Sequence, residues 1–143
     1  MHAKHKAPIW FLIVTVLLIC WNLIGVLSFY THIMMINDPS ILNDPALEIL
    51  YTQYPTWTTI IFALASISGI AAAILMAMKR RIAKFIFVIS LIAVIMQMTH
   101  NLFMTDSIEY LGAQAAILPT LVVIVGIFSV WLSSFADRKK WLR

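Results

Sequence analysis

Charged residues are scarce in this sequence. Asp, Glu, Lys and Arg make up only 11% of its 143 residues, whereas 62% are hydrophobic, and the mean hydropathy is +0.95. Because soluble domains carry roughly 25% charged residues, this balance excludes an ordinary water-soluble domain. The pI near 9.5 could suggest nucleic acid as a partner, but we expect a basic rim on a membrane protein, able to hold anionic lipid headgroups.

Cysteine occurs once, and the short motifs of common catalytic sites are missing. Cys20 can form no intrachain disulfide and is expected to pack as a small hydrophobic side chain. The sequence has no H-E-x-x-H, no glycine-rich phosphate loop and no carboxylate pair inside an apolar segment. His2 and His5 have a metal-compatible spacing, but two histidines in a tail are too few for a metal site. We therefore expect no enzyme, no cofactor and no metal.

Four long apolar segments occupy most of the chain, at residues 8–30, 56–78, 82–104 and 113–135. Each has the roughly 20 residues that a helix needs to cross a bilayer core. In hydrocarbon the backbone must be hydrogen bonded within each segment, and none of the four alternates as a strand does. The first is longer than the apolar region of a signal peptide, and no cleavage motif follows it, so we expect it to be retained. The sequence predicts one domain, an all-α bundle of four membrane-spanning helices.

Two of the three connections between these spans contain no Lys or Arg. The ten basic residues lie in the N-terminal tail, between the second and third spans, and at the C-terminus: Lys4, Lys6, Lys79, Arg80, Arg81, Lys84, Arg138, Lys139, Lys140 and Arg143. Five of the six acidic residues lie in the other two connections: Asp38, Asp44, Glu48, Asp106 and Glu109. Because basic residues are retained on the cytoplasmic side, both termini are predicted to be cytoplasmic.

The first external connection contains Asn-Asp-Pro twice, at residues 37–39 and 43–45. Asp suits the N-cap of a helix and Pro its first position. After the second motif, apolar and aromatic residues recur at helical spacing: Leu47, Leu50, Tyr51 and Tyr54. We predict a short amphipathic helix at residues 45–54 that lies on the outer membrane surface, with a lid over an external site as the alternative.

Polar side chains from three spans are predicted to gather at one level in the outer half of the bilayer. Asn22 lies roughly 20 Å above residue 8, and Gln97 lies roughly 20 Å above Lys84. His100 and Asn101 follow about one turn further out, and the fourth span contributes Thr120. With two possible aromatic walls, the candidate substrate-binding residues are Asn22, Gln97, His100, Asn101, Trp21, Trp57 and Thr120.

Two interpretations of these polar residues compete. Asn, Gln and His in membrane helices often hydrogen bond across helices and need no ligand to do so. Polar groups at membrane depth also mark substrate routes, and an amide-rich set beside tryptophan suits a small uncharged polar solute. No Asp, Glu, Lys or Arg lies in the core of any span, so a charge-driven pump is not expected.

Several stretches carry a resemblance to a known family. They are "APIWFLIVTVLLICWNLIGVLSFY", "YPTW", "MQMTHNLF" and "ILPTLVVIVGIFSVW". Together they cover nearly the whole chain and resemble a family of small bacterial four-span membrane proteins, whose members often carry the label "sugar transporter". The resemblance rests on Trp21-Asn22, Pro55-Thr56-Trp57, Gln97, Asn101 and Pro119. It implies a protein of the bacterial inner membrane and favours transport.

The sequence therefore predicts an inner-membrane protein that binds or transports a small polar solute through an outward-facing pocket. Four helices enclose little volume, so a homo-oligomer or a membrane-protein partner is expected. One candidate contact is the small-residue stripe of the second span, Ala65, Ser66, Gly69, Ala72 and Ala73. The alternative is a non-transporting accessory or scaffold subunit, whose polar groups only hold the bundle together.

Overall fold

The structure, a computed structural model, describes residues 6–143. Within that range six α-helices follow one another: α1 (Ile9–Asn37), α2 (Pro45–Thr52), α3 (Thr56–Ala77), α4 (Ala83–Phe103), α5 (Ser107–Leu111) and α6 (Ile117–Arg138). Short 3-10 turns lie at Pro39–Leu42 and Gly112–Ala116. Four helical segments are long and apolar enough to span a membrane, and they contain α1, α3, α4 and α6. The predicted all-α bundle is confirmed. His2, Lys4 and His5 lie outside the described residues.

The first and last spans differ most from their predicted bounds. α1 continues to Asn37 instead of ending near residue 30. α6 begins at Ile117, because α5 and a 3-10 turn occupy the preceding residues. Gly112, with φ +69°, lies where α5 ends and this 3-10 turn begins. Pro119 consequently lies in the first turn of α6, where its missing N–H removes no helical hydrogen bond.

The two Asn-Asp-Pro motifs have different outcomes. Asp44 caps α2, since its Oδ1 atom accepts a hydrogen bond from the Ala46 N–H at 2.9 Å and Pro45 is the first helical residue. Asp38 instead accepts from the Ser40 hydroxyl, and only one 3-10 turn follows it. The amphipathic helix predicted at residues 45–54 thus appears as α2, which ends at Thr52.

The membrane-spanning helices pack in the order α1, α3, α4, α6, with α3 and α4 at the centre. The small-residue stripe of α3 is buried inside the chain: Ala65, Ser66, Gly69, Ala72 and Ala73. A Cβ atom on Gly69 would collide with the Asn22 side chain, so the backbones of α1 and α3 approach closely there. The proposed use of this stripe as a contact between subunits was therefore wrong, because the chain's own helices cover it.

Helices α1 and α6 stand at opposite sides of this array and are not packed against each other along their length. They approach at one end only, where the rings of Trp10 and Phe135 lie 6.5 Å apart. We call this the basic end, since every described Lys and Arg residue lies there, and the opposite one the acidic end. The gap between α1 and α6 leaves the side of the bundle incompletely closed.

The basic end holds the hydrophobic core and the last residues of the chain. Leu142 is 2% exposed and belongs to the same cluster as Phe11. The Arg81 N–H donates to the Arg143 carbonyl at 2.9 Å, which ties these last residues to the turn between α3 and α4. Lys79 and Lys140 both have φ +59°, and each follows a helix end in the manner of a glycine C-cap.

Candidate functional site

A cavity of about 220 Å³ lies between the four membrane-spanning helices. Its wall on α4 extends from Phe87 to Met98, which places it in the middle of the bundle. Among the described residues no Asp, Glu, Lys, Arg or His lines the cavity. Most of the wall is aliphatic or aromatic, and the polar residues on it are Asn22, Ser28, Ser66, Ser90, Gln97 and Ser129. An apolar cavity of about 150 Å³ can hold benzene, so this one has room for a small ligand.

Most of the polar lining groups already hold one backbone partner. Asn22 Nδ2 donates to the Leu18 carbonyl at 2.8 Å within α1. Ser90 Oγ donates to the Ala65 carbonyl at 2.9 Å, which joins α4 to α3. Ser66 Oγ lies 3.5 Å from the Gly25 carbonyl of α1. Each hydroxyl keeps an unused lone pair. Asn22 Oδ1 instead lies against Gly69 of α3, because it is the atom that a Cβ on Gly69 would meet first.

Gln97 is the exception among these groups. Its side chain is 3% exposed and lines the cavity. Within residues 6–143 its carboxamide makes no hydrogen bond. A carboxamide can donate two hydrogen bonds and accept two, so Gln97 offers the cavity its full capacity. The position on α4 follows from helical spacing, because Ser90, Ala93 and Gln97 recur every three or four residues on the buried side.

His100 and Trp57 belong to a separate group at the acidic end, which we call the aromatic layer: His32, Tyr51, Tyr54, Trp57, Phe62 and His100. Rings of this layer contact one another at centroid distances of 5.1 Å for Trp57 and His100 and 5.2 Å for His32 and Tyr54. Both imidazoles are buried, at 7% exposure for His32 and 4% for His100. Except for Phe62, none of these residues lines the cavity, which begins within one turn of His100, at Gln97 and Met98.

The two connections at the acidic end lie against the aromatic layer. Gln53 Nε2 donates to Asp106 Oδ2 at 2.7 Å, and the Asp106 N–H donates to Gln53 Oε1 at 3.0 Å. Burial, followed by the proximity of Tyr51, raises the pKa of Tyr54 to about 12, although a hydrogen bond with Ser107 acts in the opposite direction. The two connections at the acidic end are therefore joined to each other beside the aromatic layer.

The remaining two candidates lie elsewhere. Asn101 Oδ1 is buried and lacks a hydrogen-bond partner among the described residues, but Asn101 does not line the cavity. Thr120 is exposed on α6, donates to the Ala116 carbonyl at 2.6 Å and lines a shallow groove between α4 and α6. Of the seven predicted residues, the cavity thus brings together Trp21, Asn22 and Gln97, whereas Asn101 and Thr120 stay outside it.

Sequence reasoning missed two parts of this arrangement. His32 was not considered, because the first span was expected to end near residue 30. The available signal was that His32 follows Phe29 by three residues, which places both on the same side of a helix. Ser66 was assigned to a helix contact alone, yet it also lines the cavity. Small hydroxyl residues carry no sequence signal that separates these two roles.

Comparison with known proteins gives no relative. No protein-family model matches the chain, and neither the curated proteins nor the solved structures contain a match. The resemblance to bacterial four-span proteins therefore stays a prediction. What the fold itself defines is an integral membrane protein of four spanning helices with an uncharged internal cavity.

Proposed function

We propose that this integral membrane protein binds a small uncharged molecule in the central cavity and passes it across the membrane. The observation that carries this proposal is the buried carboxamide of Gln97, which lines the cavity without a protein partner. Its polar atoms are open to the cavity, since they are not among the fully buried atoms that lack a partner. Such groups at membrane depth are often kept because a ligand uses them.

The chemistry of the wall supports an uncharged ligand. A charged ligand in a membrane interior needs a countercharge, and the described lining residues supply none. Gln97 offers donors and acceptors, and the Ser90 hydroxyl adds an acceptor. Trp21 provides an aromatic wall beside them. A hydroxyl-bearing or amide-bearing molecule matches this set.

Location and assembly form the second part of the proposal. The distribution of charge between the two ends of the bundle favours an orientation with the basic end in the cytoplasm. The family resemblance favours the bacterial inner membrane. A cavity of about 220 Å³ is too small for a complete route through one chain, so we propose transport by a homo-oligomer or together with a membrane-protein partner.

The alternative is an accessory or scaffold subunit in which polar groups only join helices. Ser90 supports that role, because its hydroxyl bonds from α4 to α3. The amides do not: Asn22 bonds within its own helix, and Gln97 bonds to no described residue. Around the cavity, the hydrogen bonds that join the spans are thus made by serines, while Lys84 and Asp137 join α4 to α6 at the basic end. The larger polar side chain of Gln97 stays available to a ligand.

A binding assay tests the proposal. The purified full-length protein is heated with a panel of uncharged polyols and amides, since a ligand of the native state raises the melting temperature. We expect at least one compound to stabilise the protein, with the effect lost in Gln97→Leu. Thr99→Leu is the matched control, because it removes a polar group from the same helix outside the cavity. If Gln97→Leu responds as the wild-type protein does, the accessory role is correct.

A further inference from the structure

The cavity is bordered by two helices that do not pack against each other. Ile24 on α1 and Leu118 on α6 line it, and these side chains are 60% and 62% exposed. Both would face lipid in a bilayer, since the outer surfaces of the spans are apolar. The cavity therefore has a side toward the bilayer core, between α1 and α6.

The opening is closed at the basic end and its neighbouring helices are covered at the acidic end. At the basic end Trp10 contacts Phe135 and Trp141, at centroid distances of 6.5 and 5.7 Å. At the acidic end the aromatic layer and the paired Gln53 and Asp106 side chains lie over the bundle. The gap between α1 and α6 thus gives Gln97 an approach from the hydrocarbon that does not pass the basic end.

From this geometry we infer that the ligand is an amphiphile dissolved in the bilayer, with an uncharged hydroxyl-bearing head and an apolar tail. This inference rests on the proposed function and names its substrate class. The head lies against Gln97 and Asn22, and the tail leaves between α1 and α6 along Leu118 and Val122. A lipid alcohol such as a monoacylglycerol has this chemistry.

Size and polarity distinguish this occupant from a helix of a second copy. An α-helix with its side chains is about 10 Å across, whereas the Trp10 and Phe135 rings close the gap at the basic end. A spanning helix could not follow the gap along its whole length. It would also leave the Gln97 carboxamide without a partner unless it carried a polar residue at that depth, while a hydroxyl head supplies both a donor and an acceptor.

The test uses the full-length protein in phosphatidylcholine nanodiscs and four probes: glycerol and its monohexanoyl, monooctanoyl and monodecanoyl esters. The melting temperature is followed against the free aqueous concentration of each probe. The midpoint is the free aqueous concentration of a probe that gives half of its full shift in melting temperature. If the tail stays in an apolar environment when the head is bound, every two added methylenes lower this midpoint about tenfold. A site filled from water that binds only the head gives the same midpoint for all four probes, and that result overturns the inference while the proposed function stands.

Two variants locate the effect. Val122→Trp fills the opening on α6 and should abolish stabilisation by the esters. Ile127→Trp adds the same ring to an exposed position of α6 outside the cavity and should leave it intact. Stabilisation by the esters that persists in Val122→Trp overturns the inference. A change from dimer to monomer in that variant, measured by light scattering, also overturns it, because a second copy would then fill the gap in the wild-type protein.

Gln97→Leu separates the two proposals and provides a second variant if Val122→Trp does not fold. It should weaken binding of every ester by a similar factor and leave the dependence on chain length unchanged, because only the head contact is lost. If no probe stabilises the wild-type protein although a compound of the polyol and amide panel does, the inference is overturned and the proposed function stands. If Gln97→Leu binds every probe as tightly as the wild-type protein, the proposed function itself is wrong.

Discussion

Replacement of Gln97 by leucine should stabilise the unliganded protein. In the wild-type chain Gln97 is 3% exposed and makes no hydrogen bond to a described residue, but its carboxamide is open to the cavity and is not among the fully buried unpartnered groups. A buried unsatisfied polar group costs about 1–3 kcal/mol. The cavity is large enough for several water molecules, which relieve part of this cost. We therefore expect the free energy of unfolding to rise by about 1 kcal/mol, at the low end of that range.

The accessory role predicts the opposite sign. If Gln97 joined helices, its loss would lower the free energy of unfolding by about 0.6–2 kcal/mol. Ser90→Ala is the reference for such a loss, because it removes a 2.9 Å hydrogen bond between α4 and α3. Thr99→Leu, on the exposed side of α4, should change little.

The assay is reversible unfolding in mixed micelles of a mild detergent and increasing dodecyl sulfate, followed by far-UV circular dichroism. The midpoints of wild-type protein and the three variants are compared at constant total detergent. We expect Gln97→Leu above the wild-type midpoint and Ser90→Ala below it. A midpoint for Gln97→Leu as low as that of Ser90→Ala would refute the reasoning, since the amide must then have a partner in the folded protein.

Three further predictions follow from other parts of the molecule. Gly69→Ala should destabilise the protein by about 1–3 kcal/mol in the same assay, because the added methyl collides with Asn22, whereas Gly25→Ala meets nothing within 4 Å and should be neutral or stabilising. Lys79→Gly should raise the free energy of unfolding by about 1 kcal/mol, since Lys79 has φ +59°. A lower free energy of unfolding would show that the contacts of the Lys79 side chain outweigh this backbone strain. The pKa of Tyr54 is about 12 in the folded protein and about 10 in the unfolded chain, so the free energy of unfolding should fall as pH rises from 10 to 12. Tyr54→Phe should flatten this fall. An unchanged pH profile would contradict the raised pKa of Tyr54.

The spans and one cap could be predicted because their signals are local. A run of about 20 apolar residues has few options other than a spanning helix. Asp44 and Pro45 form a helix start that depends on neighbours within two residues. The extension of α1 past residue 30 could not be predicted, because His32 is held by contacts with Tyr54 and Phe62 from distant parts of the chain.

Depth in the membrane could be predicted for the candidate site, but helix rotation could not. Asn22 and Gln97 were expected at one level from the helical rise alone, and both line the cavity. Thr120 was expected beside them, yet α6 turns this residue outward. Because α6 is apolar on most of its circumference, sequence does not specify which side faces the bundle. Packing against α4 does.

Helix α1 has a length that its neighbours do not share. Its 29 residues extend about 43 Å at 1.5 Å per residue, whereas the 22 residues of α3 extend about 33 Å. A helix longer than the hydrocarbon thickness responds by tilting or by projecting from it. The acyl chain length of the surrounding lipids sets the bilayer thickness. A tilt of α1 in response to that thickness should change the gap between α1 and α6. Because thin bilayers favour a larger tilt of α1, an effect of lipids on this protein should be tested first in lipids with short acyl chains.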